Sequence, residues 1–524
     1  MRRFNVTGLC VPGKDYMVDI SGKLEQIIRL IDYQSYFTIN RARQYGKTTT
    51  LSMLRKRIAG DYICVRISFE GIDDESFGSP DLFCRMFVEL IYDSLKFTDA
   101  PNDYIESWLI DDISNFRELG KHITKMCRDK KVVLMIDEVD KISNNTVFLH
   151  FLGMLRDKFL ARKDGMDYTF HSVILVGVYD IKNIKLKMIS EGKYTPAAAE
   201  SKIYNSPWNI AVDFEIDMSF SALEISSMLN EYEADHKKGM DIEAISEEIY
   251  RFTSGYPYLV SRICKHIDEK FDKDWTAGGV KNAVIAIINE QNTLFDDLFK
   301  NLENNRNLYD FVYDMLISGN EKSFRISNPL VNLGYMYGFF TNKDGKVAIA
   351  NRIFETLICE HFISKDESEP NKNQIRGVLR QDVVKNGRFD LELALRKFAE
   401  HYAEMFGERD WEFLEKHGRL IFLTYLKPLI NGQGFFHIES QFTDLRRMDI
   451  VVDFGRDQFI IELKIWRGDS LHQDAYEQLL GYMESKKAST GYLLTFDFRK
   501  EVNKQRYAKW VGFDNSKRIF DVIL

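Results

Sequence analysis

The run Lys130-Lys131-Val132-Val133-Leu134-Met135-Ile136-Asp137-Glu138-Val139-Asp140 constrains the fold more than any other part of this chain. Val132 to Ile136 are all apolar, so the segment has no polar face to turn toward water. That is the pattern of a parallel strand covered on both sides by helices. It predicts an α/β architecture, with the closing acids emerging at the carboxyl end of the sheet, where such folds bind ligands.

Upstream, Tyr36-Phe37-Thr38-Ile39-Asn40 reads as a second apolar strand. It runs through Arg41-Ala42-Arg43-Gln44-Tyr45 into Gly46-Lys47-Thr48-Thr49-Thr50, and the spacing of Leu51, Leu54 and Ile58 then predicts a helix. A tight loop opening a helix at Gly-Lys-Thr is a phosphate-binding pattern: backbone N–H groups face the phosphates, a lysine reaches the outer oxygens and a hydroxyl holds Mg²⁺. Those roles fall to Gly46, Lys47 and Thr48, with Thr49 beside them in the first turn. The full pattern asks for a glycine at 41, where this chain has Arg41. Arg41 and Arg43 put extra positive charge near the nucleotide, to touch phosphate or to anchor the loop. The pair Asp137-Glu138 has the form of a Walker B motif, Asp137 for the hydrated Mg²⁺ and Glu138 to polarise the attacking water.

At 524 residues the chain exceeds a single core, and two to four domains are expected. Apolar residues make up 45% and charged residues 29%, as in folded soluble proteins. No run is long and apolar enough for a membrane span and no signal-peptide core follows Met1, so a cytoplasmic protein is expected. Six scattered cysteines without a CxxC pair read as reduced thiols rather than a metal cluster. A net charge of −8 neither supports nor excludes nucleic-acid binding.

The parallel three-layer sheet is expected to use strands at 36–40, 62–69, 132–137, 171–178 and 208–214, within an ATPase core over 1–220. Tyr16 to Ile20 borders the base. Asp180 or Asn183 could sense the γ-phosphate, or the segment that holds them is a plain loop. A helical lid follows over 221–300, and Arg262 could reach the nucleotide from it. Residues 301–363 read as helix, helix, hairpin with a Lys343-Asp344-Gly345 turn, the order of a winged helix. A linker and connecting helix fill 364–400. Arg162, closing the helix after Asp137-Glu138, could act in trans as an arginine finger in a homo-oligomer.

Residues 401–524 carry a second constellation. A helix to Ile430 precedes apolar strands at 435–442, 447–454 and 458–466. Side chains alternate along a strand, so Glu462 and Lys464 share one face, and a hairpin partner can set Asp449 beside them. Asp449 and Glu462 can then bind Mg²⁺ while Lys464 orients or deprotonates water. The next helix supplies Gln473, Gln478 and Tyr482, giving an αβββαβ order.

With these residues in view, the chain resembles bacterial and archaeal AAA-ATPase-like proteins that carry a C-terminal PD-(D/E)xK nuclease-like domain. The resemblance covers nearly the whole chain. That family's loop runs Arg-Pro-Arg-Arg-Phe-Gly-Lys-Ser, matched here by Arg41-Ala42-Arg43-Gln44-Tyr45-Gly46-Lys47-Thr48, so Arg41 is the family's own variant. Asp137-Glu138, Asn351-Arg352-Ile353-Phe354, Arg447-Met448-Asp449 and Glu462-Leu463-Lys464 match its other motifs. Ala42 and Gln44 depart from the pattern without deleting a phosphate ligand. The resemblance implies ATP and Mg²⁺ as ligands and a nuclease-like domain acting on DNA or RNA, in defence or mobile-element biology. The rival reading is a signalling or scaffold ATPase whose C-terminal domain binds nucleic acid or protein without cutting. A small-molecule kinase finds no second substrate signature.

Overall fold

The structure, a computed structural model, describes residues 2–109, 113–142, 145–178, 208–317, 320–368, 380–405, 411–440, 448–466, 468–497, 506–513 and 517–524. The chain forms two compact units. The first comprises Met1–Asp235, Gly255–Ser261 and Met336–Gly338; the second comprises His236–Ser254, Arg262–Tyr335 and Phe339–Leu524.

In the first unit, strands β1 (Tyr36–Asn40), β2 (Ile63–Ser68), β3 (Val132–Asp137) and β4 (Ser172–Gly177) pair in parallel in the order β1-β4-β3-β2. Every residue of β3 and β4 is buried, as the unbroken apolar pattern requires. Helices Lys47–Ile58, Pro80–Leu95, Phe116–Cys127 and Thr146–Lys163 connect the strands. Side chains fix where they begin: Asn145 Oδ1 accepts from Val147 N at 2.7 Å, and Ser79 caps a helix with Pro80 in its first position. Phe83, Phe87 and Phe151 pack with ring centroids 4.8–6.1 Å apart inside this core. Truncating one such ring would cost about 3–5 kcal/mol.

The fifth strand expected at 208–214 does not form. Among the described residues, only an isolated parallel bridge, Phe37↔Val212, extends the sheet beyond β1. The segment is held by side chain instead: buried Trp208 donates Nε1–H to Thr38 Oγ1 at 3.0 Å and stacks on Tyr36. An indole anchored this way satisfies the apolar residues without a ladder of backbone bonds.

The second unit begins with helices Ile242–Thr253, Ala277–Ile288, Thr293–Glu303 and Arg306–Leu316. A hairpin of β5 (Phe340–Lys343) and β6 (Lys346–Ile349) follows, turning on Asp344 and Gly345 with φ of 50° and 81°. Positive φ at both central residues is the two-residue turn that a twisted hairpin favours. Helix Arg352–Ser368 comes next, then a short pair β7 (Val384–Lys385) and β8 (Arg388–Phe389).

The largest sheet closes the chain. Strands β9 (Gly434–Ser440), β10 (Met448–Phe454), β11 (Asp457–Ile465), β12 (Thr490–Phe496), β13 (Tyr507–Gly512) and β14 (Arg518–Ile523) lie in the order β13-β14-β12-β11-β10-β9. β9, β10 and β11 form an antiparallel meander; β11, β12 and β14 run parallel. With helices Trp411–Ile430 and Asp469–Ser485 this is the expected αβββαβ order, extended by β13 and β14.

The edge strand β9 is not left open. Glu355 Oε1 accepts from Ile438 N at 2.8 Å, Thr356 Oγ1 donates to Phe436 O at 3.0 Å, and Arg352 meets His437 Nε2 at 2.6 Å. Two residues of helix Arg352–Ser368, Glu355 and Thr356, thus occupy backbone groups that an edge would offer to another chain, and Arg352 adds a side-chain contact. Among the described residues no helix is long and apolar enough to cross a membrane.

Candidate functional site

The loop after β1 closes on Gly46, which sits at φ 74° and ψ 11° at the head of helix Lys47–Ile58. A Cβ there would meet only Pro257 Cβ at 3.9 Å, so the left-handed backbone rather than crowding calls for glycine. The helix has no side-chain cap and no acid in its first turn. Its first N–H groups therefore have no side-chain cap, the arrangement at which helices commonly receive anions.

Lys47 is 7% exposed, and its ammonium donates to the carbonyls of Arg41 at 2.8 Å and Ala42 at 2.9 Å. Burial lowers its pKa from the ordinary lysine value, opposed by the charges of Asp140, Glu138 and Asp137. Thr48 Oγ1 donates to Asp137 Oδ2 at 3.1 Å, joining the loop to the end of β3. These two hard oxygen donors suit Mg²⁺, which accepts one or two protein oxygens and fills its octahedron with water and phosphate. Asp137 Oδ1 also accepts from Glu138 N at 3.1 Å.

Glu138 adopts φ 54°, a left-handed conformation costly for a residue with a side chain, of order 1 kcal/mol or more. Its carboxyl is raised above the ordinary glutamate value by burial, with Lys47 opposing and Asp137, Asp140 and Glu70 adding to the rise. A carboxylate shifted upward in this way is a better proton acceptor near neutrality.

The two loop arginines differ. Arg41 donates to Asn40 O and Ile216 O, each at 2.7 Å, and lies over the Phe214 ring. Of the two roles open to it, this is anchoring, and its guanidinium is committed to main-chain carbonyls rather than aimed at phosphate. Arg43 is exposed, and its charge is felt at Lys47. The Thr49 hydroxyl accepts from Cys10 N at 3.3 Å. Gly46 and Thr49 line a cavity of about 360 Å³ whose apolar wall includes Tyr16, Met17, Val18, Met53 and Phe220. Tyr16, Met17, Val18 and Ile20 therefore border a space next to the loop.

Two further arginines are engaged elsewhere. Arg162 donates to Phe170 O, to His171 O at 3.0 Å and to Gln34 O at 3.0 Å, over the rings of Tyr36 and Phe159. It is an internal clamp, not an arginine finger offered in trans. Arg262 forms an ion pair with Glu290 in the second unit. Asp180 and Asn183 lie outside the described residues.

Sequence reasoning missed Arg66 and the task of Asp140. Arg66 Nη2 reaches Asp137 Oδ2 at 3.2 Å, and Asp140 Oδ2 accepts from Val178 N just beyond β4. The signal for Arg66 was present: it is the one cation in the otherwise uncharged strand Ile63–Ser68.

In the C-terminal sheet, the register sets Asp449 directly opposite Glu462, the pairing that puts both positions on one face. Glu462 is 2% exposed and forms an ion pair with Lys464. The Asp449 side chain and residues Arg446 and Arg447 fall outside what is described. Arg419 is held by the carbonyls of Leu316 at 3.1 Å and Ile317 at 2.9 Å; burial pushes it down to about 10, against the charges of Cys359 and Glu462. From helix Asp469–Ser485, Gln478 Oε1 and Tyr482 Oη are buried without a hydrogen-bond partner among the described residues, whereas Gln473 is exposed. Buried polar atoms left unpaired are the mark of a site awaiting a ligand or water. Two carboxylates at opposed positions with a lysine alongside fit a hard divalent cation and an activated water.

Four residues along β10 from Asp449, Asp453 is 1% exposed and bound by Lys281 Nζ at 3.0 Å and Gln458 Nε2 at 2.9 Å, with His437 Nδ1 at 3.7 Å. Burial alone would raise its carboxyl, but the charges of His437 and Lys281 outweigh it and hold the pKa below the ordinary aspartate value. Helix Ala277–Ile288 is thereby tied to the strand that carries Asp449.

The family model described as AAA-like domain matches residues 25–356, and that of the PD-(D/E)XK nuclease superfamily matches residues 435–507. No curated protein matches the chain. Among solved structures, the Walker-type ATPase PABY2304 of Pyrococcus abyssi is 12% identical, with 68% of this chain and 99% of that one covered, at a TM-score of 0.48. The ORC2 protein of Aeropyrum pernix, in ADPNP–ADP complexes, is 11% identical over 70% and 98% of the two chains, with a TM-score of 0.34. Scores below 0.5 assign no activity to this chain.

Proposed function

Because this chain belongs to the AAA-like domain family and carries a PD-(D/E)XK nuclease superfamily segment, we propose that it is an ATP-dependent protein acting on nucleic acid. The observation that carries the first half is the contact of Thr48 Oγ1 with Asp137 Oδ2 beside the buried Lys47 ammonium. Gly46 and the first turn of the helix bind the phosphates of ATP, and Lys47 and Arg43 supply positive charge. Thr48 and Asp137 hold Mg²⁺, which neutralises phosphate charge when bound. Glu138, its pKa raised by burial, orients and deprotonates the attacking water.

The second half rests on the opposition of Asp449 and Glu462 with Lys464 on the same strand as Glu462. Asp449 and Glu462 would hold a divalent ion, which would supply Lewis-acid activation of water. Lys464 would orient the attacking water toward a phosphodiester. The nucleotide state governs cleavage in this reading. The presence of both segments in one chain supports it.

A scaffold reading, binding without cleavage, draws on the ion pair that already occupies Glu462 and Lys464. Incubating the protein with labelled DNA and RNA, with ATP and Mg²⁺ and with each omitted, separates the two. Cleavage that requires Mg²⁺ and disappears in Asp449→Ala supports the nuclease; cleavage undiminished in Asp449→Ala sinks it. Retained binding with no cleavage in any condition favours the scaffold.

A further inference from the structure

We propose that His472, held by Asp521, forms a phosphate subsite for a nucleic-acid strand beside the Asp449–Glu462 pair; the identity of the strand rests on the nucleic-acid reading above. Asp521 is fully buried, and its Oδ2 accepts three hydrogen bonds: from His472 Nε2 at 3.0 Å, from Tyr507 OH at 2.7 Å and from Tyr476 OH. Its Oδ1 is buried with no partner among the described residues. Nε2 of His472 faces that carboxylate, which leaves Nδ1 as the working atom. Nδ1 makes no hydrogen bond among the described residues, and the His472 side chain is 9% exposed.

Burial and then the Asp521 charge push both Tyr476 and Tyr507 above the ordinary tyrosine range, so both remain hydrogen donors. His472 sits in the first turn of helix Asp469–Ser485, whose N-terminus has no side-chain cap. The charged groups around it are Asp469 on its own helix, Asp521 on β14, and Lys509 with Tyr507 on β13. The Trp466 ring lies 5.1 Å from the imidazole.

Register places this cluster in line with the carboxylate pair. Glu462 pairs with Leu493, which pairs with Asp521; Lys464 pairs with Thr495, then Ile523, then Tyr507. Aligned positions share a face, so one row links the metal-site residues to the His472 cluster across two strand spacings, about 10 Å. A duplex strand covers that distance in about three nucleotides at ~3.4 Å each. Thr495, next to Lys464 in the row, has a buried hydroxyl without a partner among the described residues. Packing alone does not call for a buried carboxylate and imidazole here, since an apolar pair of similar volume is commonly as stable.

His472→Gln is the decisive variant, because the glutamine amide can still donate to Asp521 while the outward nitrogen is gone. Binding of a fluorescein-labelled oligonucleotide in Ca²⁺ is followed by anisotropy, alongside titration of inorganic phosphate into histidine-labelled wild-type protein followed by imidazole NMR. The expected results are a loss of about 10- to 100-fold in oligonucleotide affinity, as for a charge-assisted bond, and a phosphate-dependent shift of the His472 signals. Unchanged affinity in His472→Gln overturns the subsite while leaving the nucleic-acid reading intact. If the wild type ignores the oligonucleotide but His472 responds to phosphate, the nucleic-acid reading falls and the anion site stands. No response in either arm removes the subsite, and the NMR arm decides alone if the variant fails to fold.

Discussion

Replacing Lys47 with methionine keeps the length of the side chain and removes one ammonium from the centre of the loop. In the structure that ammonium makes two bonds to neutral carbonyls, those of Arg41 and Ala42. A phosphate drawn onto the helix N-terminus replaces them with bonds to charged oxygens. Both sets of bonds use the charged ammonium, so the gain comes from anionic in place of neutral acceptors; at about 1–1.5 kcal/mol per bond, exchanging two gains roughly 2–3 kcal/mol. Lys47→Met loses that gain, which predicts an ATP affinity about 30- to 150-fold weaker. The assay is anisotropy of a fluorescent ATP analogue with Mg²⁺, with the melting temperature of nucleotide-free protein as the folding control. Affinity within about threefold of wild type in a folded variant would refute the role given to Lys47.

Two other perturbations follow from the same geometry. Glu138→Gln should bind ATP like wild type while hydrolysing it about 10²- to 10⁴-fold more slowly, and phosphate release is the measurement. The raised folded-state pKa of Glu138 contributes stability that is complete below the ordinary value and is lost as pH rises through the folded value, so the glutamine variant should melt higher at pH 7. Lys281→Met leaves the buried Asp453 carboxylate without its closest cation, a loss of about 3 kcal/mol or a melting drop of roughly 6–12 °C at pH 7. Because the folded pKa of Asp453 is depressed, its stabilisation is present above the ordinary aspartate value and lost as pH falls through the folded one. The gap between the two melting curves should therefore close below about pH 4, and a constant gap would count against the pairing.

The elements read most directly were those with an unambiguous period. An unbroken apolar run such as Val132 to Ile136 can only be a strand covered on both faces, and it appears fully buried. Asp449 and Glu462 were placed together by alternation and a short turn, and the register sets them opposite. The strand expected at 208–214 misled because its apolar pattern is satisfied by one indole in the core. Periodicity records that residues are buried, not which bonds their backbone makes.

The residue types of both sites, Gly46-Lys47-Thr48 with Asp137-Glu138 and Asp449 with Glu462 and Lys464, were determined by local sequence, because strand and helix periods dictate where such side chains emerge. Contacts between residues far apart in the chain were decided only by tertiary structure. Arg41 turned to Ile216, Arg66 reached Asp137, Lys281 paired with Asp453, and His472 met Asp521. A long polar side chain commits to a partner only after folding has removed water and brought distant segments together, and no local pattern encodes that choice.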